Sequence, residues 1–266
     1  MDYYVVDAFA DALFGGNPAG VCLLAEWPDE ALMQRIASEN NLPETAFAVR
    51  GGEEYGLRWF TPEKEIDLCG HATLGTAYVL ANFYDRDARV FRFRTKSGLL
   101  TVTKKDGIYE LDFPSRAPEP VPLEPEYAEA LGAKVLEDNR SRDLLLRLES
   151  GQAVRDLRPN LDLIKAIPDV FAVIVTAKGD SGSDFVSRFF APAAGIPEDP
   201  VTGSSHSTLI PFWASRLGKK TLVARQLSKR GGTLYCEDKG SRALIGGRAV
   251  VYLRGTLVSL AAVWLF

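Results

Sequence analysis

Two histidines occur in the 266-residue chain, His71 and His206, and each follows a glycine inside one of two matching segments. The first reads Phe60-Thr-Pro-Glu-Lys-Glu65-Ile-Asp67-Leu-Cys69-Gly70-His71-Ala-Thr73. The second reads Phe190-Ala-Pro-Ala-Ala-Gly-Ile-Pro-Glu198-Asp199-Pro-Val-Thr202-Gly203-Ser204-Ser205-His206. Both carry Phe-x-Pro, then Glu, then Gly and a polar residue that opens an apolar run. Glu65 and Glu198 stand 133 positions apart, half of the chain. The simplest reading is two copies of one domain, each delivering a glycine-led helix start.

Such a start has a definite chemistry. The first amides of a helix lack internal partners and sit at the positive end of its dipole. Gly70 and Gly203 permit close backbone approach, while His71 and Ser204 add side-chain donors. The combination suits a carboxylate, or an oxyanion or carbanion that develops during reaction. An ordinary N-cap turn is the plainer alternative for either segment alone; their duplication favours the functional one. Glu44 lies just before an apolar strand, in Asn41-Leu-Pro43-Glu44-Thr45-Ala-Phe47, where partial desolvation would suit it to proton transfer. The competing reading is a solvated loop glutamate. Asp199 is either a substrate contact or a turn-former, and Glu65, Asp67 and Glu198 either react or brace their motifs. His71 is a candidate hydrogen-bond donor or acid–base group, whereas His206, deeper in its segment, reads as a structural brace. Cys69 reads as a small buried residue.

Several classes are excluded or disfavoured. The net charge of −4 argues against nucleic acid or an anionic membrane as partner. Three scattered cysteines make no disulfide framework or zinc knuckle. No P-loop, HExxH or GxSxG signature occurs, and two distant histidines predict no histidine-rich metal site. The amino terminus lacks the basic and apolar regions of a signal peptide. The apolar run over residues 255–266 is too short to span a bilayer and predicts a buried strand. The expectation is a cytoplasmic protein.

The elements that must position these residues follow from pattern. Residues 3–8, 19–24, 45–49 and 55–60 predict strands, and 28–40 a helix. The run 71–84, apolar on most sides, predicts a helix buried inside a curved sheet. Alternating runs over 90–95, 99–104 and 109–113 follow. Five prolines within residues 114–125 read as a linker. Beyond it the plan repeats: strands over 141–149, 170–176 and 184–190, then a helix over 204–217 stopped by Gly218. The expected class is α+β, with two pseudo-symmetric domains, 1–115 and 116–266, the last strand free to pack back on the first. Each is a mostly antiparallel curved sheet around a central helix.

Taken together, Asp7-Ala8-Phe9, Gly16-Asn17-Pro18-Ala19-Gly20-Val21, Asn41-Leu-Pro-Glu44-Thr45-Ala46-Phe47 and Asp67-Leu-Cys-Gly70-His71-Ala72-Thr73 resemble the PhzF-like phenazine biosynthesis family. Gly195-Ile-Pro-Glu198-Asp199-Pro200-Val201-Thr202-Gly203-Ser204 and Gln226-Leu-Ser228-Lys229-Arg230-Gly231-Gly232 extend the resemblance, in the family's order, over almost the whole chain. It implies the diaminopimelate-epimerase-like fold with an active site between the domains, no cofactor, and commonly a homodimer. It further implies that Glu44 shuttles a proton, while Gly70, His71, Asp199, Gly203 and Ser204 contact a small carboxylate-bearing substrate. Cofactor-free racemases of related layout use two opposed thiols, but the counterpart of Cys69 is Thr202, which counts against that mechanism. The chain departs from the family at Ser205 and Ser207, where alanine and cysteine are frequent, and at Pro43. The expected activity is therefore a cofactor-independent, proton-moving isomerase. The alternatives are a two-carboxylate epimerase using Glu44 and Asp199, and a non-catalytic small-molecule binding or interaction module.

Overall fold

A computed structural model describes residues 1–180 and 182–258. The chain divides into two compact units: Met1–Leu111 together with the segment from Gly247 onward, and Asp112–Gly246.

The first unit begins with β1 (Asp2–Ala8), β2 (Asn17–Leu24), α1 (Glu30–Asn40), β3 (Glu44–Gly51), β4 (Glu54–Phe60) and the short β5 (Glu65–Ile66). Then come α2 (Gly70–Val79), β6 (Val90–Thr95), β7 (Gly98–Lys105) and β8 (Ile108–Pro114). The second unit holds β9 (Glu119–Val121), α3 (Pro125–Leu131), β10 (Glu137–Arg140), β11 (Leu144–Arg147), α4 (Gly151–Asp156) and α5 (Leu161–Ala166). It continues with β12 (Val173–Lys178), β13 (Phe185–Phe190), α6 (Gly203–Leu217), β14 (Thr221–Gln226), β15 (Gly232–Asp238) and β16 (Arg242–Gly247). Finally β17 (Ala249–Thr256) pairs antiparallel with β1 in the first unit.

The internal duplication extends to strand pairing. In the first unit β1–β2 is antiparallel, β2–β3 parallel, β3–β4 antiparallel, β4–β6 parallel, and β6–β7 and β7–β8 antiparallel. In the second, β10–β11, β11–β12, β12–β13, β13–β14, β14–β15 and β15–β16 repeat that alternation in order. The sheets are thus mixed, and each parallel pair, β2–β3, β4–β6, β11–β12 and β13–β14, is separated in the chain by at least one helix. A crossover must return the chain to the same end of the sheet before a parallel neighbour can form.

Helix α2 is buried on nearly every side: Ala72, Leu74, Ala77 and Val79 are fully inaccessible, as are Thr73 and Thr76. Its threonines survive burial by bonding back to the helix, Thr76 Oγ1 donating to the Ala72 carbonyl at 2.7 Å. Gly75 faces β1 and β2, where a Cβ would make ordinary van der Waals contacts, 3.5 Å from Val6 and 3.9 Å from Val21. Beyond Val79 the helix widens into a π-helical turn, Leu80–Tyr84, closed by the Asp85 amide on the Leu80 carbonyl at 2.7 Å. The predicted helix over 71–84 therefore exists, with its last turn wound differently.

Helix α6 carries Pro211 in its interior. Proline has no N–H, so the carbonyl of Ser207 loses its helical donor; the Arg116 amide supplies one instead, at 2.9 Å. That contact corrects the reading of residues 114–125 as a plain linker. The stretch forms β9, paired with β10, and places Pro125 in the first turn of α3. Proline is at home on short edge strands and at helix starts. The strand expected over 141–149 is also corrected: β11 spans only 144–147 and is preceded by a polar strand, β10. The predicted strand over 255–266 lies mostly outside the described residues; Gly255 and Thr256 are the exposed end of β17.

Candidate active site

In the first unit, α1 ends at Asn41, which adopts a left-handed conformation (φ 49°) and redirects the chain into β3. Glu44 is the first residue of β3 and faces Ala19 of β2 in register. Helix α2 begins beside it. Cys69, extended at φ −142°, is its N-cap, followed by Gly70 and His71. The Cys69 side chain makes no capping bond to the helix. The resulting contact joins the two strongest sequence candidates: Glu44 Oε2 lies 3.0 Å from His71 Nε2. Both side chains are largely buried, 13% and 8% exposed.

Cys69 completes the cluster. Its Sγ lies 3.5 Å from His71 Nδ1 and 4.0 Å from Nε2. Burial, with the Glu44 carboxylate adding to it, pushes the thiol above its ordinary pKa. Burial alone would discourage protonation of His71, but Cys69 and Glu44 more than offset it and hold the imidazole well above its usual value. One ligand atom from each of Glu44, Cys69 and His71 falls within 4.8 Å of the others, so these three have the composition and spacing to hold a metal ion.

In the second unit, Thr202 is the extended N-cap of α6, followed by Gly203 and Ser204. Asp199 accepts a hydrogen bond from Thr202 Oγ1. Gln226 clamps this loop: its Nε2 donates to the Asp199 carbonyl at 2.8 Å, and its Oε1 accepts from the Thr202 amide at 2.9 Å. Ser228 Oγ donates to the Pro200 carbonyl at 2.7 Å. Ser204 Oγ accepts a long hydrogen bond, 3.5 Å, from Arg142. His206 is fully buried, with Nδ1 donating to the Thr202 carbonyl at 2.8 Å. Burial lowers its pKa to about 4, so it stays neutral and braces the start of α6.

The acids of the two Phe-x-Pro segments are braces. Glu65 accepts both Arg58 Nε and Nη2 at 2.7 Å, and Lys96 lies against it. Glu198 accepts Arg188 Nε at 2.7 Å and Nη2 at 3.0 Å. Arg58 and Arg188 sit on the corresponding strands β4 and β13, so the brace is duplicated along with the helix start. Among the described residues, the contact of Asp67 is through its carbonyl, which accepts from Ser97 Oγ at 2.8 Å.

The structure thus brings Glu44 and His71 together with Gly70, and separately gathers Asp199, Gly203 and Ser204 on one loop and helix start. Sequence reasoning missed three things: the contact of Cys69 with His71, the two arginine braces, and the clamp by Gln226. The first was only two residues away in sequence, but whether the thiol turns toward the ring is set by the extended backbone of Cys69, which the residue types do not reveal. The arginines were findable, each lying two residues before its Phe-x-Pro phenylalanine.

The match to known proteins runs through this whole arrangement. A family model described as phenazine biosynthesis-like protein, PhzC-PhzF, covers residues 6–255. An uncharacterized isomerase of Pseudomonas aeruginosa is 48% identical over 97% of this chain and 98% of its own. A crystal structure of a PhzF-family phenazine biosynthesis protein of Enterococcus faecalis superposes with a TM-score of 0.95 at 52% identity, covering 97% of this chain and 99% of that one. A phenazine biosynthesis PhzC/PhzF protein of Clostridium difficile gives 0.93 at 49% identity, over 97% and 100%. On these grounds, together with the shared pseudo-symmetric α+β fold, the chain belongs to the PhzF-like phenazine biosynthesis family.

Proposed function

We propose that this protein is a cofactor-independent isomerase in which Glu44 moves a proton between two carbons of a small, carboxylate-bearing amino or hydroxy acid. The observation that carries the reading is the 3.0 Å approach of Glu44 Oε2 to His71 Nε2 at the start of α2. A carboxylate shielded from bulk water takes a proton from an activated C–H bond, and the resulting carbanion is delocalised into the substrate's own conjugated system. A positively charged His71 and the free amides at Gly70 oppose that developing negative charge. Glu44, now protonated and open to exchange with solvent, delivers a proton at another carbon, so the base is regenerated without a second group. Asp199, Gly203 and Ser204 serve the substrate's polar substituents, a role that rests on the duplicated motif and the family resemblance. The same resemblance supports a homodimer.

A second reading has one observation in its favour: Asp199 places another carboxylate beside the start of α6. An epimerase using Glu44 and Asp199 would invert a stereocentre instead of moving a double bond. The test is a screen of cyclic and linear amino and hydroxy acids by thermal shift, followed by proton NMR of the hits in D2O. The isomerase reading expects deuterium incorporation that is abolished in Glu44→Gln while binding is largely kept. Equal loss of binding and exchange removes Glu44 as the shuttle. Inversion at a stereocentre selects the epimerase, and stabilisation without any exchange selects a binding module.

A further inference from the structure

We propose that Gln226 is a positioning residue which, through the Thr202 hydroxyl, commits the Asp199 carboxylate to accept hydrogen bonds. The second helix start then takes substrates that bring a donor, an amino or hydroxyl group. That consequence rests on Asp199 as the substrate contact of the function proposed above, whereas the relay itself stands on contacts within the chain.

Gln226 closes β14, 1% exposed, between Ser187 of β13 and Gly232 of β15. Its amide cannot be turned over. Nε2 faces the Asp199 carbonyl at 2.8 Å, and Oε1 faces the Thr202 N–H at 2.9 Å. Exchanging nitrogen and oxygen would set oxygen against oxygen and N–H against N–H. Two backbone groups therefore settle which end is the donor.

With the amide fixed, Nε2 also donates to Thr202 Oγ1 at 3.2 Å. A hydroxyl has a single proton to give. Receiving from Gln226, Thr202 Oγ1 directs that proton to Asp199 Oδ2. The rest of Thr202 is committed as well. Its carbonyl accepts from Ser205 Oγ at 2.9 Å and from His206 Nδ1 at 2.8 Å. Polarity thus runs one way, from Gln226 through Thr202 to Asp199. A carboxylate that receives a hydroxyl proton is favoured in its charged, acceptor form. Such a group welcomes N–H and O–H from a substrate and repels a second carboxylate. A glutamate at position 226 would reverse the order, taking the Thr202 proton for itself.

The test is carbon-13 NMR titration of the Asp199 carboxyl in the ligand-free full chain, its signal identified by loss in Asp199→Asn. Thr202→Val should raise the titration midpoint by about one to two pH units, the worth of one hydrogen bond to a charged group. Thr202→Ser should restore it. Gln226→Glu should raise the midpoint alone but add little on top of Thr202→Val, because the hydroxyl it would redirect is gone. An unmoved midpoint in Thr202→Val overturns the relay. An equal rise from Gln226→Glu in both backgrounds also overturns it, since the new carboxylate then acts by its charge. If Gln226→Glu fails to fold, the wild-type amide decides: one Nε2 proton should shift in Thr202→Val, and two unmoved protons overturn the relay. In the exchange assay Thr202→Val should raise KM about tenfold with kcat little changed. A loss confined to kcat would make Asp199 a proton-transfer group and overturn the positioning role. A midpoint that moves as described, with no acid exchanging in wild type, would leave the relay standing and refute the isomerase.

Discussion

Replacing Arg188 by methionine should destabilise the second unit far more than replacing Arg58 by methionine destabilises the first, although the two arginines occupy corresponding strands. The structure shows why. Arg188 is 10% exposed; besides Glu198 it donates to the carbonyls of Leu157 at 2.8 Å and Val154 at 3.3 Å. Val154 and Leu157 are buried, so both carbonyls lose donors that water cannot replace. Each such loss costs about 1–3 kcal/mol. Glu198 retains 25% exposure and can rehydrate, adding about 1 kcal/mol or less. The expected total is about 3–5 kcal/mol, in the range for breaking one side of a buried pair. Arg58 is 22% exposed and meets only the carboxylates Glu65 and Glu30 among its hydrogen-bond partners, the latter 65% exposed. Its loss should cost about 1–2 kcal/mol, with Lys96 still beside Glu65. Urea unfolding of the two variants and of Glu198→Gln supplies the comparison. Glu198→Gln should cost clearly less than Arg188→Met, because the two carbonyls keep their donor. Equal costs for those two changes, or a loss below about 1 kcal/mol for Arg188→Met, would refute the assignment of the energy to the carbonyls.

Other consequences are as direct. In the window from about pH 6.5 down to about 4, the unfolded chain protonates His206 while the folded one does not, so this residue costs stability as pH falls. His71 shifts the other way: its stabilising contribution is complete below its unfolded value and is lost only as pH rises through its elevated folded one. The difference in urea stability between wild type and His206→Asn should therefore drift by about 3 kcal/mol across that window, and a flat difference would contradict it. Pro211→Ala should change stability by less than about 1 kcal/mol, against the roughly 3 kcal/mol that removing a proline from a helix interior would ordinarily recover, because Arg116 already satisfies Ser207. A gain near the full value in urea unfolding would show that the Arg116 bond contributes little.

Much of the architecture was legible because it was written twice. The two Phe-x-Pro segments sit half a chain apart, and the helices and strands around them follow in the same order. What escaped was of two kinds. Strand β10, Glu-Asp-Asn-Arg, carries no apolar alternation; it is held by its neighbours β9 and β11 rather than by its own composition. Prolines between residues 114 and 125 signal interruption equally well for a linker and for an edge strand running to a helix start, and only pairing decides. At the site, Glu44 and His71 were each visible as chemistry. Their contact was not, because it depends on how β3 and α2 meet. Cys69 was dismissed on its symmetry with Thr202, yet its neighbour His71 has no counterpart in the second helix start. The duplication that made the fold readable concealed the residue that breaks it.

The return of β17 to β1 has a consequence for how the molecule is made. Residues 112–246 form an uninterrupted unit and can fold as soon as they leave the ribosome. The first unit cannot be completed then, since β1, paired with β2 on one side, lacks its second neighbour until β17 is synthesised. At about 5–20 residues per second, β1 waits on the order of tens of seconds with one edge open. That edge carries Tyr4 and Val6, both fully buried in the finished protein, and an open apolar edge is a template for pairing with other chains. Substitutions that slow translation or the docking of β17 should therefore lower soluble yield without altering the equilibrium stability of the folded protein.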